Sequence, residues 1–183
     1  MTHEEALALR ERADLICDEA AARAAVARVA TELTARVAAR MPLVLSVMSG
    51  ASVFCGQLLP QLDFPLELDY IHATRYGNAT RGSHIVWRVE PREDVAGRTI
   101  VVLDDILDEG LTLAAVKEVL LAKGAREVLI AVFCEKELER SKPVRADFVG
   151  VRVPDRYVFG YGMDVHGWWR NLPAVYALKE ENP

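Results

Sequence analysis

The stretch Thr99–Gly124 limits the possible folds of this chain more than any other. Thr99–Leu103 (Thr-Ile-Val-Val-Leu) is a continuous run of β-branched and apolar residues, the pattern of a strand buried on both faces. An acidic turn follows, Asp104-Asp105-Ile106-Leu107-Asp108-Glu109-Gly110. Leu111–Lys123 then repeats apolar residues at helical spacing, and Gly124 closes the helix as a C-cap. A fully buried strand feeding an amphipathic helix belongs in an α/β arrangement, where helices cover both faces of a sheet.

The rest of the chain extends this pattern. Leu43–Val47 reads as a buried strand stopped by Ser49-Gly50, and Val53–Leu59 as a helix ending before Pro60. Leu66–His72 and His84–Val89 alternate apolar and polar residues, with a polar loop, Arg75–Gly82, between them. Val128–Phe133, Phe148–Val153 and Ala174–Leu178 supply further strands. Up to about Arg40 the chain is rich in Ala, Glu and Arg, without Gly or Pro, and reads as helical with a break near Cys17–Asp18. Thr2-His3-Glu4-Glu5 has capping-box spacing, and Val26, Val29, Leu33 and Val37 form an apolar face. The expectation is one domain over residues 1–183, with a helical segment at 1–40 and a core at 41–178 built on a mostly parallel sheet.

Charge narrows the class. A net charge of −5 over 183 residues leaves little room for the basic face that a nucleic-acid backbone requires. Cys17, Cys55 and Cys134 lie far apart, form no zinc-type pattern and sit among apolar neighbours, which suits reduced thiols in a cytoplasmic protein. The N-terminus lacks a basic region followed by an apolar run, and no uninterrupted apolar stretch is long enough to span a bilayer. A soluble protein without a membrane role is expected.

The acidic turn carries the chemistry. In open α/β sheets ligands bind beyond the carboxyl ends of the strands, where the chain turns into a helix. Asp104, Asp105 and Asp108 fall after Thr99–Leu103, and Glu109-Gly110-Leu111-Thr112 opens the helix. The free amides and positive dipole end of a helix N-terminus suit a phosphate. Carboxylates just upstream suit a hydrated Mg²⁺, which draws several ligands from substrate and water. Helix capping alone does not call for four carboxylates in six residues, whose mutual repulsion is unfavourable. Neither a Walker P-loop nor a G-x-G-x-x-G fingerprint is present.

Leu103–Thr112 resembles the phosphoribosyl-pyrophosphate (PRPP) signature of the type I phosphoribosyltransferases. Ala146–Gly150, Pro154–Asp164 and Arg170-Asn171-Leu172-Pro173 are similar to the hypoxanthine-guanine branch, and the resemblance runs from about Met41 to Leu178. It implies the type I fold with a small hood, in a homodimer or homotetramer; the apolar face of the N-terminal segment also makes an oligomer plausible. It further implies an enzyme that makes IMP or GMP and pyrophosphate from PRPP and hypoxanthine or guanine, with Mg²⁺. The same motif occurs in regulators that have lost catalysis. The alternatives are therefore a PRPP- or nucleotide-sensing regulator and a transferase preferring xanthine or another base.

By the same resemblance, Asp104 and Asp105 face the ribose hydroxyls and the metal. Asp108 is the general base for the purine N7 proton, and the 5′-phosphate lies on Asp108, Glu109, Gly110, Leu111 and Thr112. Ser49, Gly50 and Arg170 bind pyrophosphate, and Arg75 and Tyr76 belong to a lid. Lys136 donates to the 6-oxo group, Tyr157 stacks on the base, the Val158 backbone reads its edge, and Asp164 adds a second metal carboxylate beside it. Three positions depart from the family pattern. Ser49 stands where many relatives have Lys or Arg, Glu109 replaces a Thr that helps bind the 5′-phosphate, and Leu111 replaces a Lys of some relatives.

Overall fold

Side chains pointing alternately to opposite faces of buried strands separate two cores on either side of one sheet. The computed structural model describes residues 1–76, 84–90 and 94–179. The sheet contains β2 (Leu43–Val47), β3 (Glu67–Tyr76), β4 (His84–Val89), β5 (Thr99–Leu107), β6 (Glu127–Lys136) and β7 (Phe148–Val153). Its spatial order is β4-β3-β2-β5-β6-β7. All neighbours run parallel except β4, which pairs antiparallel with β3 at the edge.

On β5, Val101 and Leu103 point to one face, and Ile100 and Val102 to the other. The first face is covered by α2 (Glu19–Val37), through Ala22, Val26, Val29 and Leu33, and by α3 (Ser52–Leu58), through Phe54 and Leu58. The second is covered by Leu113, Val116 and Leu120 of α4 (Leu111–Ala122). Each of these Val, Leu and Phe side chains contributes about 1.5–3 kcal/mol by leaving water. Covering both faces is what allows five adjacent strands to run parallel.

A second, three-stranded antiparallel sheet forms the hood, in the order β1 (Asp14–Cys17), β9 (Val175–Ala177), β8 (Val158–Phe159). The N-terminal zone is thus not wholly helical. Its first helix, α1 (His3–Arg12), has the capping box of Thr2 and Glu5, and Asp18 caps α2 by accepting from the Ala21 amide at 2.8 Å. Between them Asp14–Cys17 is a strand, because Asp14, Leu15 and Cys17 find partners in Ala177, Tyr176 and Val175 at the other end of the chain. Arg156 secures this junction by donating to Asp14 and to the Leu178 carbonyl, both at 2.6 Å. The apolar face of α2 is spent inside the chain, on the sheet, so it supplies no oligomer interface.

Strand β5 is longer than its β-branched run. It continues through Asp104 to Leu107 because those residues pair with Val132–Glu135 of β6, overriding the low strand preference of Asp. Asp104 and Asp105 therefore sit on the strand, not in the turn after it.

Candidate active site

Past Leu107 the chain leaves the sheet and reaches α4 through Asp108, Glu109 and Gly110. Gly110 has φ 79°, a left-handed conformation that other residues adopt only with strain. A Cβ there would also crowd Leu107 and Val144. As N-cap of α4 it offers no side-chain acceptor, which leaves the first amides of the helix, Leu111 and Thr112 among them, facing outward.

The loop after β2 closes on this turn from the side. Gly50 packs so tightly on Asp105 that a Cβ would overlap its carboxylate. Gly162, at φ 102°, packs in turn on the Gly50 carbonyl. What holds Gly160-Tyr161-Gly162 there is Tyr161, a buried ring stacked on Phe133 with centroids 3.7 Å apart. Burial, with the neighbouring Cys17 adding to it, pushes the Tyr161 hydroxyl up to about 12. The Gly-rich segment is thus a plug driven into the core, with glycines on either side where backbone must approach backbone.

Two adjoining cavities result. The larger, about 550 Å³, is lined by Ser49, Gly50, Asp104, Asp105, Asp108, Glu109, Gly110, Leu111, Thr112, Asp164 and Arg170. The smaller, about 200 Å³, is lined by Lys136, Tyr157, Val158 and Met163, and shares Asp105, Ile106, Asp108 and Asp164 with the first. The candidate residues with described side chains thus converge from five separate segments. Arg75 and Tyr76 end the backbone of β3; their side chains, and the lid beyond them, lie outside the described residues. A cavity of about 760 Å³ between α1, His166 and Leu178 lies apart from this constellation.

The carboxylates occupy different electrostatic settings. Asp104 is buried, and its Oδ1 accepts from the Asp105 amide at 2.9 Å. Burial, with the adjacent Asp105 charge adding to it, holds the Asp104 carboxyl well above the usual carboxylate range. Asp105 is raised by burial too, against the lowering effects of Asp104, the Ile106 amide and the Arg170 charge. Arg170 stands 4.0 Å from Asp105 and 2.5 Å from Asp164, and donates to the Gly162 carbonyl at 2.6 Å. The other Asp164 oxygen accepts from the Gly167 amide at 2.7 Å.

Asp108 is half-exposed and bonded to Lys136 Nζ at 2.8 Å, and Asp155 lies 3.9 Å from the same nitrogen. Tyr157 is exposed over the smaller cavity, its hydroxyl donating to the Asp164 carbonyl at 3.2 Å. Burial, with Asp164 assisting, raises that phenol. Glu109 turns its carboxylate to Arg140, in the segment after β6.

Sequence reasoning missed His72, which lines the larger cavity, and Ile106 and Met163, which line the smaller. The position of His72, one residue past Ile71 on a strand running toward the same end of the sheet, was the signal available. Among the described residues no three His, Cys, Asp or Glu side chains gather closely enough to hold a metal unaided. No helix among them is long and apolar enough to cross a membrane.

Comparison with known proteins agrees with this geometry. Residues 14–166 match the model of the phosphoribosyl transferase domain. A hypoxanthine-guanine phosphoribosyltransferase of Bacillus subtilis is 36% identical over 155 residues, covering 84% of this chain and 86% of that protein. A hypoxanthine-guanine-xanthine phosphoribosyltransferase of Tritrichomonas foetus is 32% identical over 156 residues, with 85% of each chain covered. Among solved structures, a hypoxanthine phosphoribosyltransferase of Staphylococcus aureus superposes with a TM-score of 0.87 over 94% of this chain and 95% of that one, at 22% identity. Type I phosphoribosyltransferase is accordingly the fold, and the chain belongs to the phosphoribosyltransferase family, in its hypoxanthine-guanine branch.

Proposed function

We propose that the protein transfers the 5-phosphoribosyl group of PRPP to hypoxanthine or guanine, giving IMP or GMP and pyrophosphate. The observation that carries this reading is the Asp108–Lys136 pair at the meeting of the two cavities. An acceptor and a donor 2.8 Å apart match the N7–H and 6-oxo edge of a 6-oxopurine, which replaces their mutual bond with two of its own. Adenine carries an amino donor at the 6-position and offers Lys136 no acceptor there.

In the transfer, N9 of the base forms a bond to ribose C1. The C1–oxygen bond breaks, its electron pair leaving with pyrophosphate, and the N7 proton passes to Asp108. Tyr157 would stack on the base and the Val158 backbone would meet its edge, a reading supported by their both lining the smaller cavity. The α4 amides and Thr112 would hold the 5′-phosphate, with Glu109 drawn off by Arg140. Ser49, Gly50 and Arg170 would hold pyrophosphate, and Arg75 and Tyr76 would belong to the lid. Water exclusion by that lid would protect PRPP from hydrolysis while C1 carries positive charge.

Mg²⁺ fits the donor set. Asp104 and Asp105 offer hard oxygen donors held together against repulsion, and a small set of carboxylates suits an ion that takes its remaining ligands from substrate and water. Asp104, Asp105 and, on release from Arg170, Asp164 would hold it, and its charge would offset that of the pyrophosphate. A relative and a solved structure named for xanthine as well as hypoxanthine and guanine favour a second reading, in which xanthine is also accepted. The free thiols of Cys17, Cys55 and Cys134 support action in the cytoplasm. Pyrophosphate release with Mg²⁺ and PRPP, run in parallel with hypoxanthine, guanine, xanthine and adenine, tests the proposal. Release is expected with the first two and absent with adenine; no release with any base would overturn it.

A further inference from the structure

Lys142 lies in the segment after β6 and has no part in the assignments above. Its side chain is only 11% exposed, although lysine is rarely buried without partners. Nζ donates to the Lys136 carbonyl at 2.6 Å and to the Leu107 carbonyl at 3.0 Å, with the Glu135 carboxylate 3.7 Å away. Leu107 ends β5 and immediately precedes Asp108; Lys136 ends β6 and carries the amine bonded to Asp108. The β5–β6 register ends at Leu107 and Glu135, so the next residues, Asp108 and Lys136, have no ladder partner across the gap. Lys142 Nζ joins the two chains at that point. Its stem lies against the turn, since a Cβ on Gly110 would come within 3.6 Å of the Lys142 Cβ.

We propose that Lys142 is a positioning residue which sets the separation of Asp108 and Lys136, and through it the fit of the purine. The inference rests on the assignment of those two residues to the base. A buried lysine is a poor choice for packing alone, because desolvating its charge is unfavourable where a methionine would fit without that penalty. Its three N–H donors are what a methionine lacks, and they reach two carbonyls of two different strands.

Lys142→Met keeps the stem and its contact with Gly110 while removing the donors. The KM for hypoxanthine should rise about 5–30-fold, because small misplacements at a recognition site are expensive. The KM for PRPP should change by less than about twofold, since methionine keeps the stem beside Gly110 and Lys142 does not line the larger cavity. Lys142→Arg, which restores charge and donors, should recover most of the loss. A merely structural role would lower the active fraction and leave both KM values alone. Should the methionine variant fail to fold, Lys142→Gln, with two N–H donors and no charge, should raise the base KM about 3–10-fold. An unchanged base KM in an active protein, or an equal rise in both KM values, overturns this inference alone. A wild-type protein inactive toward every purine overturns the functional reading and this inference with it.

Discussion

The two carboxylate sites at the end of β5 differ although only a few residues separate them. Asp104 and Asp105 are buried side by side, with the nearest guanidinium 4.0 Å from Asp105, and burial raises both. Asp108 is half-exposed and bonded to Lys136. The first pair is unfavourable until a cation arrives, whereas the second is satisfied until a base displaces it. One strand end thus presents a site waiting for charge beside a site waiting for a hydrogen-bonding edge, which suits a metal-bound PRPP and a neutral purine respectively.

Breaking the second site should have the largest effect. Asp108→Asn removes the proposed proton acceptor and should lower kcat for IMP formation by about 10²–10⁴-fold in a pyrophosphate-release assay. Lys136→Met should lower kcat/KM for hypoxanthine by about 10–100-fold, the worth of a charged hydrogen bond, and narrow the preference over adenine.

The first site should respond in stability as well as activity. The folded Asp104 carboxyl titrates above its unfolded value, so its contribution to wild-type stability falls as pH rises from about 3.9 through the higher folded value. Asp104→Asn removes that loss. In metal-free buffer at neutral pH its Tm should rise by about 2–6 °C, with the gain vanishing in acid. Smallest of all, Glu109→Thr breaks only an exposed ion pair with Arg140. Its stability should change by less than about 1 kcal/mol in urea titration, and its KM for PRPP should fall by at most about threefold.

The fold was legible where burial follows local pattern. Leu43–Val47 and Phe148–Val153 are strands with the bounds their apolar runs predict, and Leu111–Lys123 misses its helix by one residue. The extension of β5 through Asp104–Leu107 was not legible, because β6 rather than local preference decides it. Strand β1 was hidden for the same reason: its partner, β9, is at the far end of the chain. At the site, the acidic composition of the turn pointed to Asp104, Asp105 and Asp108, which line one cavity with Glu109, Gly110, Leu111 and Thr112. The Lys136–Asp108 contact spans 28 residues and no spacing rule reveals it; only resemblance pointed there. Lys142 was invisible for a different reason, since a lysine between Ser141 and Pro143 reads as surface until its carbonyl partners are seen.

The division of labour between the two carboxylate sites is tested most directly by calorimetric titration of PRPP, in Mg²⁺ buffer, into wild type, Asp104→Asn and Asp108→Asn. Asp108→Asn should bind PRPP within about threefold of wild type, and Asp104→Asn at least about tenfold more weakly. Equal loss of binding in both variants, or undiminished binding by Asp104→Asn, would contradict the account.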